Sequence, residues 1–150
     1  MHHSRLRSLR FSLLALGVLA SLALPRVAAA ATTITGGTVG DQTWAAADGP
    51  FIIQGDVTVQ AGATLTIQSG TVVRFAANDM QGSGASTSLV ELIVHGTLLV
   101  NGDYGQPVTF EAQTGSSPGT WHGITISDMA ARAIISGARA SVVVPMPSWP

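Results

Sequence analysis

The chain has no cysteine and no lysine. Without cysteine there can be no disulfide framework, thiolate metal site or cysteine nucleophile. Without lysine, all seven basic residues are arginine. Charge of either sign is scarce: Asp, Glu and Arg make up only 10% of the 150 residues, against about 25% in an average soluble domain. Aromatics are few, at 5%. What is present is apolar and small, with 46% hydrophobic residues and 17 glycines. That length and apolar content suit one domain with a sizeable core.

Part of the apolar excess lies at the N-terminus. "MHHSRLRSLR" carries Arg5, Arg7 and Arg10, and "FSLLALGVLASLAL" follows over residues 11–24. Pro25 ends the run, and "RVAAAAT" offers small residues at a cleavage site. A basic start, a short apolar run and an Ala-x-Ala site make a secretory signal peptide. The run is too short for the ~20 residues of a spanning helix, which argues against an uncleaved anchor. Residues 1–30 are therefore expected to be a cleaved signal helix, cut after Ala30 or Ala31. No Cys follows to carry a lipoprotein anchor. The expected location is secreted, periplasmic or on the outer cell surface, with no transmembrane segment after cleavage. The remaining chain holds three Arg against eight Asp and Glu, a net charge of −5. Nucleic acid is excluded as an expected partner, because phosphate backbones are bound mainly through Lys and Arg.

The body of the chain alternates with period two, the mark of strands. In "DVTVQA", Val57, Val59 and Ala61 fall on one side; in "ATLTIQ", Ala63, Leu65 and Ile67 do. "TVVRFA" sets Val73 and Phe75 inward with Arg74 outward. Breaks at Gly55-Asp56, Ala61-Gly62 and Ser69-Gly70 separate strands of four to six residues, too closely for crossover helices. After the Gly/Ser-rich segment "NDMQGSGASTS" (78–88), a loop by composition, the pattern returns in "ELIVHGTLLVNGD", with Leu98 and Val100 inward. Val108, Phe110 and Ala112 alternate next, followed by Ile124 and Ile126, and "ARAIISGARA" forms a strand-turn pair. Setting "IQSGTVV" on "IVHGTLL" gives a repeat of 26 residues, with Gly96 in the role of Gly70. A period of 20–50 residues marks a repeat architecture.

Most breaks lack the Asn-Gly or Asp-Gly pairs of two-residue hairpins. A three-sided parallel β-helix fits better than an antiparallel sandwich. About three coils are expected over residues 51–136, after a lead-in or N-terminal cap at 31–50. Residues 137–150 form a C-terminal tail rich in Val and Pro. An apolar end of this kind is unlike a dedicated solenoid cap, so a truncated or frameshifted end is expected. The rival is a small cap with Trp149 over the last coil.

"GDVTVQAGATLTIQSGTVVRF", "LIVHGTLLVNGDYGQPVTFEAQ" and "GTWHGITIS" resemble the secreted right-handed parallel β-helix repeat proteins of the pectin-lyase-like superfold. The likeness covers roughly residues 44–136. It implies an all-β, right-handed parallel β-helix. It leaves function open, since the family mixes lyases, hydrolases and adhesins. His122 stands where the family's "W-x-G-I" segment often has Gly.

Enzymes of that superfold that cleave acidic sugars generally use a cluster of Asp that binds Ca²⁺ and a basic residue. Here Asp41, Asp48, Asp56, Asp79, Asp103 and Asp128 mostly sit at turns, where Asp usually bonds nearby backbone, and no Asp-x-Asp pair occurs. No metal site, cofactor or catalytic residue is expected. Glu91 and Glu111 flank strands and are expected on a solvated outward face, rather than as a facing glycosidase pair. His95 and His122 have no Ser or Asp at motif spacing. Three aromatics are the candidates for stacking on sugar rings: Trp121, Tyr104 and Trp44. Trp44 reads more readily as a cover for the first coil. The expected function is a non-catalytic secreted or cell-surface module, with polysaccharide or cell-envelope glycan as candidate partner. The alternative is a polysaccharide lyase or glycoside hydrolase of the same fold, or an inactive fragment of one.

Overall fold

A computed structural model describes residues 30–140 apart from Ser116 and Asp128. The signal-peptide assignment (save Ala30) and the tail assignment beyond Ala140, Trp149 included, fall outside the described residues.

Short strands, each two-faced, wind through three directions and return. The first coil is β1 (Thr32–Ile34), β2 (Gly37–Val39) and β3 (Gln42–Trp44); the second is β4 (Phe51–Ile53), β5 (Val57–Val59) and β6 (Thr64–Gln68). The third is β7 (Val72–Phe75), β8 (Glu91–Val94) and β9 (Thr97–Asn101). The fourth is β10 (Val108–Ala112), β11 (Gly123–Ile126) and β12 (Arg132–Ser136), and β13 (Ala138–Ala140) opens a fifth turn. Every third strand pairs in parallel, giving sheet A (β1-β4-β7-β10-β13), sheet B (β2-β5-β8-β11) and sheet C (β3-β6-β9-β12). This is an all-β parallel β-helix. Among the described residues no helix is long and apolar enough to cross a membrane.

Parallel register places like on like along the axis. Val39, Val59 and Val94 stack inside sheet B, and Leu65 stacks on Leu98 and Ile67 on Val100 inside sheet C. Phe51, Val73 and Phe110 do so inside sheet A. Val57, Val59, Leu65, Ile67, Val73, Leu98, Val100 and Val108 are fully buried. These are the inward positions the alternation assigned. Ala61 departs from it: it sits exposed in the turn after β5. Ile126, in register with Val94, is 53% exposed.

Three expectations are corrected. Four coils and the start of a fifth stand where about three were expected. The stretch 31–50, expected as a lead-in, contains the whole first coil. There is also no 26-residue period: Thr32 lies opposite Phe51, 19 residues on, whereas Val72 lies opposite Thr109, 37 residues on. The alignment behind the 26 had set the β6–β7 corner on the β8–β9 corner. Yet β6 stacks on β9, and β8 on β5. Gly96 therefore shares its corner with Gly62, not Gly70, and its N–H donates to the Val59 carbonyl. The coil length changes mainly between sheets A and B, where β7 and β8 are joined by residues 76–90 and β10 and β11 by residues 113–122. Strand pairing is blind to what happens at a corner, so the sequence repeat is lost while the ladder is kept.

Candidate functional site

The long corner 76–90 lies over the start of sheet B and is held there by acids. Asp56 directly precedes β5, and Glu91 opens β8, so parallel pairing brings them to the same edge of the sheet. Asp56 Oδ1 accepts the Glu91 N–H at 2.8 Å, and its Oδ2 accepts the Ser83 hydroxyl at 2.8 Å. Asp79 Oδ1 accepts the N–H groups of Asp56 and Gln81 at 3.1 and 2.9 Å, and its Oδ2 that of Ser83 at 3.1 Å. Glu91 Oε1 takes the N–H groups of Ala85 and Ser86, and Oε2 the Thr125 hydroxyl at 2.8 Å. Three carboxylates thus clasp one loop.

Their burial is close to complete for two of the three. Asp56 is 1% exposed and Glu91 0%. Burial pushes the Asp56 carboxyl above its ordinary value of 3.8; the Ser83 hydroxyl and Glu91 N–H oppose the rise, and the charges of Asp79 and Glu91 add to it. Burial pushes Asp79 up as well, but donation from the N–H groups of Gln81, Asp56, Ser83 and Gly82 outweighs it and holds the group below 3.8. Gly84 makes the close approach possible. At φ +71° it lies against the acids, and a Cβ there would stand 2.0 Å from Glu91 Oε1 and 3.0 Å from Asp56 Oδ2.

Beside the clasp runs a groove of about 350 Å³, floored by the outward side of β5, β8 and β11 and walled by residues 83–85. Thr58, Ser83, Glu91, His95, Thr125 and Ser127 line it. On the rim, His122 Nε2 is 4.0 Å from Glu91 Oε2.

The family model of the pectate-lyase-like beta helix domain matches residues 37–145, most of the chain. The chain belongs to this family. No curated protein and no solved structure matches it.

The site residues expected from the sequence of this pectate-lyase-like domain are dispersed. Trp44 and Trp121 are each 3% exposed. Trp44 stacks on Phe51 with ring centroids 4.9 Å apart, and Trp121 on Phe75 at 3.9 Å and 5° between planes. Both indoles are core residues, and neither offers a ring to a ligand. Tyr104, 99% exposed, sits on the turn between β9 and β10, which the Asp103 and Gln106 backbones close reciprocally. The expected placement of the glutamates is half corrected. Glu111 is outward and part-exposed, paired with Arg74 at 2.7 Å. Glu91 is also on the outward side of its sheet, but the loop covers it, so it is not solvated. Among the described residues, no three His, Asp or Glu side chains gather in a way that could hold a metal ion. The clasp was missed because Asp56, which ties it together, is 23 residues from Asp79 and 35 from Glu91. The one local signal was the run of small residues from Gly82 to Ser86, which lets a loop lie flat on a sheet.

Proposed function

We propose that this domain is an exported, non-catalytic β-helix module that binds glycan outside the cell or at its envelope. The observation that carries the reading is how the acids are employed. Asp56, Asp79 and Glu91 spend their oxygens on N–H and hydroxyl donors of the fold itself. A general acid or base must instead reach the reacting bond with a proton or lone pair to exchange. Glu91 and Glu111 belong to different sheets, and Glu111 is held by Arg74, which is not the facing pair of a glycosidase. Among the described residues, a hydroxyl-lined groove and one exposed aromatic, Tyr104, stay open, both suited to sugar contact. Export rests on the basic, apolar and Ala-x-Ala segments of residues 1–30.

The test is to express the full chain in a bacterium, recover it from periplasm or medium and measure its intact mass. A chain beginning at Ala31 or Thr32 is expected; a product retaining residues 1–30 in the membrane fraction would refute export. The recovered protein is then incubated with pectin and alginate, with and without Ca²⁺. No unsaturated product is expected, whereas retention on at least one immobilised polysaccharide is. The alternative reading, a lyase or hydrolase, draws on the His122–Glu91 approach at the groove rim. Product formation abolished by Glu91→Gln would establish it in place of the first.

A further inference from the structure

The groove on sheet B also bears on which class of glycan would fit, an inference that rests on the glycan-binding reading above. We infer that it takes an uncharged, hydroxyl-rich saccharide and turns polyuronates away. The polar groups on its floor and wall are mostly hydroxyls, those of Thr58, Ser83, Thr125 and Ser127, with the His95 imidazole at one end and the hydrogen-bonded Glu91 carboxylate at the other. The Ser83 and Thr125 protons go to Asp56 and Glu91, so those two oxygens accept from sugar hydroxyls, while the Thr58 and Ser127 hydroxyls can donate as well as accept. Ile93, in register with Thr58 and Thr125, adds an apolar patch to the floor, where the C–H face of a sugar ring can rest. A volume of about 350 Å³ is at the small end of ordinary ligand pockets, which run from ~300 to ~1,000 Å³.

Charge decides the class. Asp56, Asp79 and Glu91 stand at one end of the groove, and among the described residues no arginine lies on sheet B. Arg74 is on sheet A and paired with Glu111; Arg132 and Arg139 belong to β12 and β13 of sheets C and A. A uronate carboxylate in the groove would meet like charge with no cation to compensate it. A polycationic amino-glycan is no better served. The Asp56 and Glu91 carboxylates are buried and already take hydrogen bonds from Ser83, Thr125 and the backbone, so neither is free to pair with an ammonium at the surface. Recognition by hydroxyls in a groove without an accessible ion pair is recognition of a neutral sugar.

Titration calorimetry of the full secreted chain against neutral hexasaccharides (cello-, xylo- and manno-), hexagalacturonate and a chitosan hexamer tests this, each at low and high salt. At least one neutral hexasaccharide is expected to bind with little salt dependence, and hexagalacturonate not at all. Thr58→Trp and Ser127→Trp, which fill the groove from outward positions, should each lower that affinity tenfold or more, about 1.4 kcal/mol, with unchanged thermal melting. Tyr104→Ala should leave it unaltered. Tighter binding of hexagalacturonate or chitosan, weakening with salt as exposed charge pairs do, would overturn the inferred class and leave glycan binding standing. Neutral binding lost with Tyr104→Ala but kept in both groove-filling variants would overturn the location. Binding to none of the five would refute both this inference and the reading beneath it.

Discussion

Glu91 donates its backbone N–H to Asp56 Oδ1 at 2.8 Å, tying together two residues 35 apart in sequence. The same Asp56 carboxylate receives the Ser83 hydroxyl. One side chain thereby joins the second coil, the third coil and the loop between β7 and β8. Asp56→Ala strands a buried N–H and removes the loop's anchor, a loss of about 1–3 kcal/mol for each donor left unpaired. Asp56→Asn keeps an acceptor at the Glu91 N–H and discards a charge that burial disfavours; it should stay within about 1 kcal/mol of the parent. Urea denaturation of the two variants beside the parent measures the difference, and equal losses would mean that the charge, not the acceptor, matters.

The two neighbouring aspartates have opposite dependences on pH. The folded-state value of Asp79 is below 3.8, so its contribution is present above that pH and is lost as pH falls through the lower folded value. That of Asp56 is above 3.8, so its contribution is present below 3.8 and is lost as pH rises through the raised value. Melting temperature followed across the acid range should show Asp79→Asn flattening the acid limb. Asp56→Asn should gain relative to the parent on the neutral side.

Two glycines of one corner test the register. A Cβ on Gly96 would stand 2.3 Å from the carbonyl oxygens of both Ala63 and Gln60, whereas Gly62, at φ +83°, has open space around it. Gly62→Ala costs only the left-handed backbone, about 1–2 kcal/mol. Gly96→Ala should cost distinctly more, because two coils must part. Chemical denaturation of both variants checks the order, and the reverse order would contradict the stacking of this corner.

Trp121 contributes an apolar face rather than a hydrogen bond. Its Nε1 is buried without a partner, while its ring lies on Phe75. Trp121→Ala should therefore lose about 3–5 kcal/mol. Trp121→Phe keeps the stack and removes the unpaired donor, and should lose no more than about 1.5 kcal/mol. Thermal melts with near-ultraviolet circular dichroism would register both.

The strands and their inward faces were legible because alternation is a local signal: Val57, Leu65, Phe75 and Leu98 each announce their side within five residues. The coil assignment was not, because which corner stacks on which is decided by pairing across 19 to 37 residues. Gly70 and Gly96 look alike in their own neighbourhoods and belong to different corners. The first coil escaped notice because β1 to β3 have three residues each, too few for a period. For the site, composition suggested a loop at 78–88 but not what it covers. Glu91 looked solvated because its strand places it outward, and nothing nearby in sequence reveals a loop folded back over it. The burial of Trp121 was illegible for the converse reason, since an aromatic beside a Gly-rich turn gives no local hint of the Phe75 ring on which it stacks.

The corner between sheets A and B is bridged by two residues after β1, three after β4, fifteen after β7 and ten after β10. Closing a longer loop costs little, about 0.6 kcal/mol for each doubling, and the registers on either side do not shift to accommodate it. This corner is thus a natural grafting position. A foreign peptide spliced into it would be displayed at a fixed height along the axis, and a change in its length would leave the three faces where they are.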